Sequence, residues 1–151
     1  MVQLPFLIFA DMKQAESQED DVSIEGMRIL LAEDNELNME IAEFLLTNAG
    51  AVIIRASNGK KAVEAFAKSG VGEVNVILMD IMMPVMDGME ATREIRTMNR
   101  SDASAVVIIA MTANAFTEDK TKALKSGMDD YLTKPLESEK LIRALSRYKH
   151  N

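Results

Sequence analysis

The chain has 151 residues, of which 48% are hydrophobic and 27% charged, and its formal net charge is −7. This length and composition suit one globular domain with a flanking segment, and the chain is too short for two large domains. Lysine and arginine form no clustered surface with interleaved aromatic residues, so binding to DNA or RNA is not expected.

The chain contains no cysteine. Disulfide bonds, thiolate metal sites and cysteine nucleophiles are therefore excluded, and the composition fits a reducing compartment, for which we expect the cytoplasm. The first nine residues, MVQLPFLIF, lack a basic region, contain Pro5 and are too short to cross a bilayer. We therefore expect no membrane contact by this chain.

An acidic segment follows at residues 10–25, ADMKQAESQEDDVSIE. It holds six acidic residues and one lysine, which together account for −5 of the net charge. It has no aromatic residue and too little apolar surface to offset the entropy lost on ordering. The sequence thus predicts a flexible acidic linker over 10–25 and a folded domain over 26–151.

Within this domain, five apolar runs alternate with segments of helical periodicity. The predicted strands are 28–32, 52–56, 74–79, 105–111 and 131–133. Because the runs are continuous rather than alternating, the strands should be buried on both faces, as in a parallel sheet with helices on either side. The fold class is therefore α/β, with a doubly wound five-stranded parallel sheet.

The predicted helices are indicated by apolar spacing and by residues typical of helix ends. The apolar stripes that should cover the sheet are Leu37, Ile41, Phe44 and Leu45 in the first helix, Ala91, Ile95 and Met98 in the third, and Leu141, Leu145 and Tyr148 in the last. The N-cap positions are occupied by Asn35, Asn58 and Asp87, the last with Glu90 as in a capping box. Gly50 and Gly127 suit helix C-termini.

Polar residues follow four of the five strands, where ligands bind in open α/β sheets. They are Glu33, Asp34, Asp80, Thr112 and Lys134. Taken singly, each has a structural explanation as a helix cap, an Asx-turn, an ST-turn or a solvated lysine. If the first and third strands are neighbours, however, three carboxylates converge in one cleft.

Three adjacent carboxylates need a neutralising partner, because like charges ~4 Å apart repel by roughly 4 kcal/mol at an effective dielectric near 20. Oxygen ligands without histidine or cysteine favour Mg²⁺, with Mn²⁺ as a substitute. A cation there, together with Lys134 and the Thr112 hydroxyl, would admit a phosphoryl group. Asp80 is then a candidate nucleophile, and the small Ala113 leaves the approach open.

Four motifs at these strand ends match a known family. They are LLAEDNELN (30–38), ILMDIMMPVMDG (77–88), IAMTANA (109–115) and DYLTKPL (130–136). Over residues 27–149 the chain resembles the receiver domain of two-component response regulators, whose flavodoxin-like, CheY-like sheet has the strand order 2-1-3-4-5. The stretch 111–136 is similar to receivers fused to hybrid histidine kinases, and residues 1–9 resemble the last strand of a kinase ATP-binding domain. We interpret 1–9 as a remnant of such a preceding domain.

The resemblance implies a role for each matching residue. Asp80 would accept a phosphoryl group from a histidine kinase or a histidine phosphotransfer domain. Asp34 and Asp80 would bind Mg²⁺ directly, Glu33 largely through water, and the backbone carbonyl of Met82 would be a further ligand.

The same resemblance assigns the phosphoryl contacts and the switch. Thr112, Ala113 and Lys134 would surround the phosphoryl group. Tyr131 would follow the movement of Thr112 and signal through the face formed by the fourth helix, fifth strand and fifth helix. The Lys134–Pro135 bond is cis in relatives, and a weak homodimer is compatible with the family.

Three rival functions remain. One rival is a phosphatase with an aspartyl nucleophile. Phosphatases of this kind resemble one another in having a second aspartate two residues after the nucleophile. This chain has Met82 at that position, and a thioether cannot transfer protons. Slow self-dephosphorylation, tuned by Met82 and Asn114, fits this chain better than turnover catalysis.

The second rival, a flavin-binding domain, is disfavoured by the acidic loop after the first strand. The third rival, a receiver that has lost phosphorylation, is disfavoured because all the key positions are intact. His150, beside the C-terminus, is a poor phosphodonor.

Overall fold

The computed structural model describes residues 22–113 and 117–149, and for 117–119 only the backbone. Residues 1–9, most of the predicted linker, Asn114 and His150 lie outside the described residues. The elements are β1 (Arg28–Ala32), α1 (Glu36–Asn48), β2 (Val52–Ala56), α2 (Gly59–Lys68), β3 (Val76–Asp80), α3 (Gly88–Arg96), β4 (Val107–Thr112), α4 (Thr117–Lys125), β5 (Asp130–Thr133) and α5 (Ser138–Ser146).

The five strands form one parallel sheet in the order β2-β1-β3-β4-β5. This confirms the predicted fold class and strand order. All residues of β3 and β4 are buried, and in β1 only Arg28 is exposed. The continuous apolar runs thus belong to central strands covered on both faces, whereas the edge strands β2 and β5 are partly exposed.

Helices cover both faces of the sheet and create two apolar cores. One core joins Phe66 of α2, Ile95 of α3 and Ala123 of α4 to the sheet. The other joins α1 and α5 to the opposite face through Leu46 and Leu145. Successive residues of β1 alternate between the two cores, as the period of a strand requires.

The apolar stripe predicted to bury α1 was wrong for three of its four residues. Leu37, Ile41 and Phe44 are 64%, 48% and 66% exposed, and only Leu45 packs partly against the core. The helix instead buries Met39, Ala42 and Leu46. Both stripes have helical spacing, so periodicity alone could not choose between them, and α1 presents a large apolar surface to solvent.

The other stripes and the helix ends agree with the sequence. The α3 and α5 stripes are buried or partly buried against the two cores. Asn35, Asn58 and Asp87 cap α1, α2 and α3, each side chain accepting a hydrogen bond from a backbone N–H of the first turn. Gly50 and Gly127 have positive φ after α1 and α4, which favours glycine there.

Some boundaries differ from the predictions. β3 and β4 begin two residues later than predicted and end one residue later, so that Asp80 and Thr112 close their strands. Ile24, within the range predicted as linker, is fully buried in the core with Met27. The packed structure therefore extends into that range. Across the described ranges, none of the helices has the length and apolar character needed to cross a membrane.

Arg96 ties the end of α4 to the rest of the fold. Its Nε donates to the carbonyl of Gly127 at 2.9 Å, and its Nη1 donates to Ala103 and Val106 carbonyls at 3.0 and 2.6 Å. Its Nη2 donates to Asp129 Oδ2 at 2.8 Å. This guanidinium connects α3, the start of β4 and the loop between α4 and β5.

Candidate functional site

Three carboxylates meet at the carboxyl ends of β1 and β3. Because these strands are neighbours, oxygens of Glu33, Asp34 and Asp80 lie within 4.8 Å of one another. Glu33 and Asp80 are buried, with 3% and 4% exposure, whereas Asp34 is exposed. The cluster expected from the sequence therefore exists, with two members inside the protein and one at its surface.

Lys134, which follows β5, forms ion pairs with both buried members. Its Nζ donates to Glu33 Oε1 and to Asp80 Oδ2, both at 2.8 Å. The remaining oxygens accept backbone hydrogen bonds, Asp80 Oδ1 from Met82 N–H at 3.2 Å and Glu33 Oε2 from Asn35 N–H at 3.1 Å. The carboxylates are thus held in place while one side of the cluster faces solvent through Asp34.

Burial makes the ionised form of Asp80 costly. It raises the pKa of Asp80 to about 6 from an ordinary value of 3.8, against the lowering effect of the Lys134 hydrogen bond and with a further contribution from the Glu33 charge. For Lys134, burial disfavours the ammonium, but the hydrogen bonds that it donates to Asp80 and Glu33, together with the charges of these carboxylates, outweigh burial and raise the pKa of Lys134. The ionised Asp80 side chain is therefore less stable in the folded protein than it is in water.

This raised pKa predicts a pH dependence of stability in metal-free protein. The folded state binds the Asp80 proton more tightly than the unfolded state does, so protonation of Asp80 stabilises the fold. This contribution to the free energy of unfolding is fully present below pH 3.8 and is lost as the pH rises through about 6. Relative to Asp80→Asn, the parent should lose up to about 3 kcal/mol of unfolding free energy across this range. Urea unfolding in EDTA at several pH values measures it, and a pH-independent difference between the two proteins would contradict the shift.

The loop between β3 and α3 is packed closely around Asp80 through two glycines. A Cβ on Gly88 would lie 2.2 Å from the Asp80 carbonyl oxygen, and a Cβ on Gly59 would lie 2.2 Å from the Met86 carbonyl oxygen. Val85, between them, has φ of 69°, a strained conformation for a β-branched residue. Neither glycine was predicted as part of the site, although glycine is a poor helix former and its presence at the first position of α2 and α3 is a signal of such a close approach.

The remaining predicted residues lie at or just after the carboxyl ends of β3, β4 and β5. Thr112 is buried at the end of β4, and its carbonyl accepts a hydrogen bond from Lys134 N–H at 2.8 Å. Ala113 and Met82 are exposed. The Lys134–Pro135 peptide bond is cis, as the resemblance implies.

Tyr131 of β5 is partly buried beneath a charged side chain of α4. The Lys120 Nζ lies 4.5 Å from the centroid of the Tyr131 ring, which is within cation–π distance. Tyr131 therefore contacts α4 as well as packing against the core.

The donor set of the cluster fits a hard divalent cation. It consists of carboxylate oxygens, with no histidine or cysteine among the described residues of the cluster, and such sets favour Mg²⁺ or Mn²⁺ over softer metals. Lys134 supplies one positive charge against these three carboxylates, so a divalent cation would balance the two negative charges that remain.

Comparison with known proteins identifies the family. The response regulator receiver domain family model matches residues 29–146. Over 121 residues the chain is 40% identical to hybrid signal transduction histidine kinase I of Dictyostelium discoideum, a match that covers 79% of this chain and 7% of that protein. The chain thus spans only a small part of that relative.

Two solved structures extend the comparison. The receiver domain of a Pseudomonas aeruginosa sensor histidine kinase, which has a magnesium ion coordinated in its active site cleft, is 39% identical, with a TM-score of 0.75 and coverage of 83% of this chain and 99% of that one. The receiver domain of a Saccharomyces cerevisiae response regulator, solved with a histidine phosphotransfer protein, is 31% identical to this chain. Its TM-score is 0.73, and the match covers 83% of this chain and 90% of that one. Since the matched span runs from β1 into α5 and contains every strand end at the site, the chain belongs to the family of response regulator receiver domains.

Proposed function

We propose that this receiver domain accepts a phosphoryl group on Asp80 from a phosphohistidine donor in a two-component phosphorelay, in the cytoplasm. The observation that carries the proposal is the position of Asp80: its carboxylate is buried, oriented by Lys134 and Met82 N–H, and within 4.8 Å of two further carboxylates. A purely structural ion pair would need one acid rather than three.

The transfer uses one carboxylate oxygen of Asp80 as the nucleophile. That oxygen attacks phosphorus, a P–O bond forms, and the P–N bond to the donor histidine breaks, leaving the imidazole nitrogen with the electron pair. Lys134 then pairs with a phosphoryl oxygen, and the Thr112 hydroxyl at the neighbouring strand end donates to another. Hydrolysis of the acyl phosphate by water returns the Asp80 carboxylate and inorganic phosphate.

Glu33, Asp34, Asp80 and the Met82 carbonyl are the groups that would hold Mg²⁺, with Mn²⁺ as a substitute. When bound, the metal neutralises the acidic cluster and screens the incoming phosphoryl charge. The exposed Asp34 gives the ion access from solvent, whereas the buried Asp80 and Glu33 set its depth in the cleft.

Asp34→Asn should therefore weaken Mg²⁺ binding by more than about tenfold, because one of the charges that attract the ion is removed. Titration calorimetry with MgCl₂ alone measures the affinity, and the Mg²⁺-dependent rise in melting temperature checks it independently. Glu64→Gln, an exposed acid on α2, is the matched control and should bind as the parent does. Equal affinities for Asp34→Asn and Glu64→Gln would remove Asp34 from the metal site.

The exposed surface of α1 is suited to dock the donor. Leu37, Ile41 and Phe44 are solvent-exposed apolar residues, and Ile41 also lines a groove of about 100 Å³ that reaches Glu33 and Lys134 at the site. Exposed apolar surface beside an active site is typical of a protein-binding face. A helical histidine phosphotransfer domain or kinase domain seated there would bring its phosphohistidine to Asp80.

Phosphorylation would be transmitted through β4 and β5. A phosphoryl oxygen that engages Lys134 and Thr112 alters the ends of two adjacent strands, which are joined by the Lys134 N–H to Thr112 carbonyl hydrogen bond. Tyr131 lies two residues before Thr133 in β5 and contacts Lys120, so it links this change to the face formed by α4, β5 and α5. Return to the resting state is slow, since Met82 offers no acid or base for water attack.

Intact mass after incubation with Mg²⁺ and acetyl phosphate tests the proposal. The parent should gain one hydroxylamine-labile phosphoryl group, and Asp80→Asn and a chelator control should gain none. Addition that persists in Asp80→Asn would exclude Asp80 as the acceptor. No addition to the parent, with Mg²⁺ binding established by calorimetry, would instead identify a receiver-like interaction module.

A further inference from the structure

A basic groove runs along the free edge of the sheet, between β5 and α5. Its volume is about 330 Å³. The charged residues that line it are Lys140, Arg143 and Arg147 of α5 and its C-terminal extension, and Asp130 of β5. The lining carries a net positive charge on a chain whose formal net charge is −7.

The bases of this groove are available to a ligand. Each of the three side chains is more than half exposed, and their nearest acids are Glu137 at 3.7 Å, Glu139 at 3.2 Å and Asp130 at 3.9 Å. Exposed pairs of this kind contribute less than about 1 kcal/mol and exchange readily. In the described ranges β5 pairs with β4 alone, and such a free strand edge is usually covered in native proteins.

The acidic segment of the chain reaches the fold at the end of this groove. Ser23 Oγ lies 3.5 Å from Lys149 Nζ, and Ile24 shares the apolar core with Tyr148. The Tyr148 hydroxyl donates to Asp130 Oδ2 at 3.2 Å, so this end of α5 adjoins the start of β5. The residues that immediately precede Val22 are ESQEDD (16–21), four acids without a base.

The distances are within reach of this short segment. From Arg147 to Lys140, seven residues of helical rise cover about 10 Å. Six residues of chain span up to about 20 Å. The segment is therefore long enough to pass all three bases, beginning at the one nearest to its point of entry.

We propose that residues 16–21 bind in cis to the basic groove between β5 and α5. Their four carboxylates complement Lys140, Arg143 and Arg147, and tethering through Ser23 and Ile24 makes the local concentration of the segment high. Because Tyr131 also lines the groove, the bound segment covers part of the β5–α5 surface and competes with any acidic partner for it. The proposal does not depend on phosphorylation of Asp80.

A single spin label tests this binding in the full chain. Since the chain has no cysteine, Ser17→Cys carries a nitroxide at a unique position. Paramagnetic broadening should be strong at the amides of Leu132, Arg143 and Ala144. It should be weak at Ile53 and Arg55 on β2, the opposite edge of the sheet, which is four strand spacings or about 19 Å further away.

Charge variants distinguish specific binding from mere proximity. Arg143→Gln combined with Arg147→Gln should reduce the broadening at β5 at least about twofold, as should about 1 M NaCl, where the Debye length is about 3 Å. Neutralising Glu16, Glu19, Asp20 and Asp21 as amides should have the same effect without touching the folded domain. The matched control, Lys60→Gln with Lys61→Gln on the opposite face, should leave it unchanged.

Three results would overturn the proposal. Equal broadening on β2 and β5, or broadening that survives both sets of charge neutralisation, would show that the segment does not use the groove. Broadening between a labelled copy and a separate isotope-enriched copy would assign the groove to the segment of a second chain.

Discussion

Lys134→Met is expected to lower the unfolding free energy of the metal-free protein by about 3 kcal/mol at neutral pH. The Lys134 ammonium is the cation that pairs with buried Glu33 and Asp80, at 2.8 Å from each. Without it two carboxylates remain buried together and unpaired. Proton uptake by Asp80, whose pKa is already raised, limits the loss to the lower end of the range for broken buried ion pairs.

Excess MgCl₂ should restore most of this loss, because a divalent cation replaces the missing charge. Urea unfolding in EDTA and in MgCl₂ measures both effects. Lys68→Met, which removes an exposed lysine of α2, is the control and should change stability by less than about 0.5 kcal/mol in either buffer. If Lys134→Met were as stable as Lys68→Met in EDTA, the ammonium would not be neutralising the cluster.

Gly88→Ala should be comparably damaging, for a steric reason. The new methyl group would lie 2.2 Å from the Asp80 carbonyl oxygen and 2.9 Å from Met79 Cγ. The carbonyl belongs to the end of a central strand and cannot move without displacing the Asp80 side chain. We expect a loss of about 3 kcal/mol in unfolding free energy, and weaker Mg²⁺ binding by the protein that remains folded.

Gly70→Ala provides the matched comparison, because a Cβ at Gly70 meets nothing within 4 Å. It should be neutral or stabilise by up to about 1 kcal/mol, since alanine restricts the unfolded chain. Urea unfolding and Mg²⁺ calorimetry of the two variants separate the steric contact from the general effect of replacing glycine. Equal stability of Gly88→Ala and Gly70→Ala would show that α3 can move away from Asp80 at little cost.

The sequence was sufficient for the sheet and for the position of the acidic cluster. Continuous apolar runs can be satisfied only by strands covered on both faces, and in a parallel sheet all their carboxyl ends lie at one edge. Glu33, Asp34 and Asp80 therefore had to converge once β1 and β3 were neighbours. The neighbour relation itself came from the family resemblance, because apolar patterning does not specify strand order.

Other features depend on packing that no local pattern encodes. The two stripes of α1 have the same period, and which one is buried depends on the rotation of the helix about its axis, which turns Met39, Ala42 and Leu46 towards the core. The need for glycine at positions 88 and 59 comes from close contacts with the end of β3 and with the loop that follows it, and these contacts form only when the elements pack. The hydrogen bonds of Arg96 likewise join three separate segments, so an arginine in a helix gives no indication of them.

The Arg96 hydrogen bonds to Gly127 and Asp129 also determine how α4 can move. They hold the backbone just after the helix, whereas its first residue, Thr117, is on the Thr112 side of the fold. Nine residues of α-helix are about 13.5 Å long. A shift of about 2 Å at the first turn thus corresponds to a rotation of roughly 8° about the fixed end. With its C-terminal end held at Gly127, any movement of α4 would be largest at its first turn.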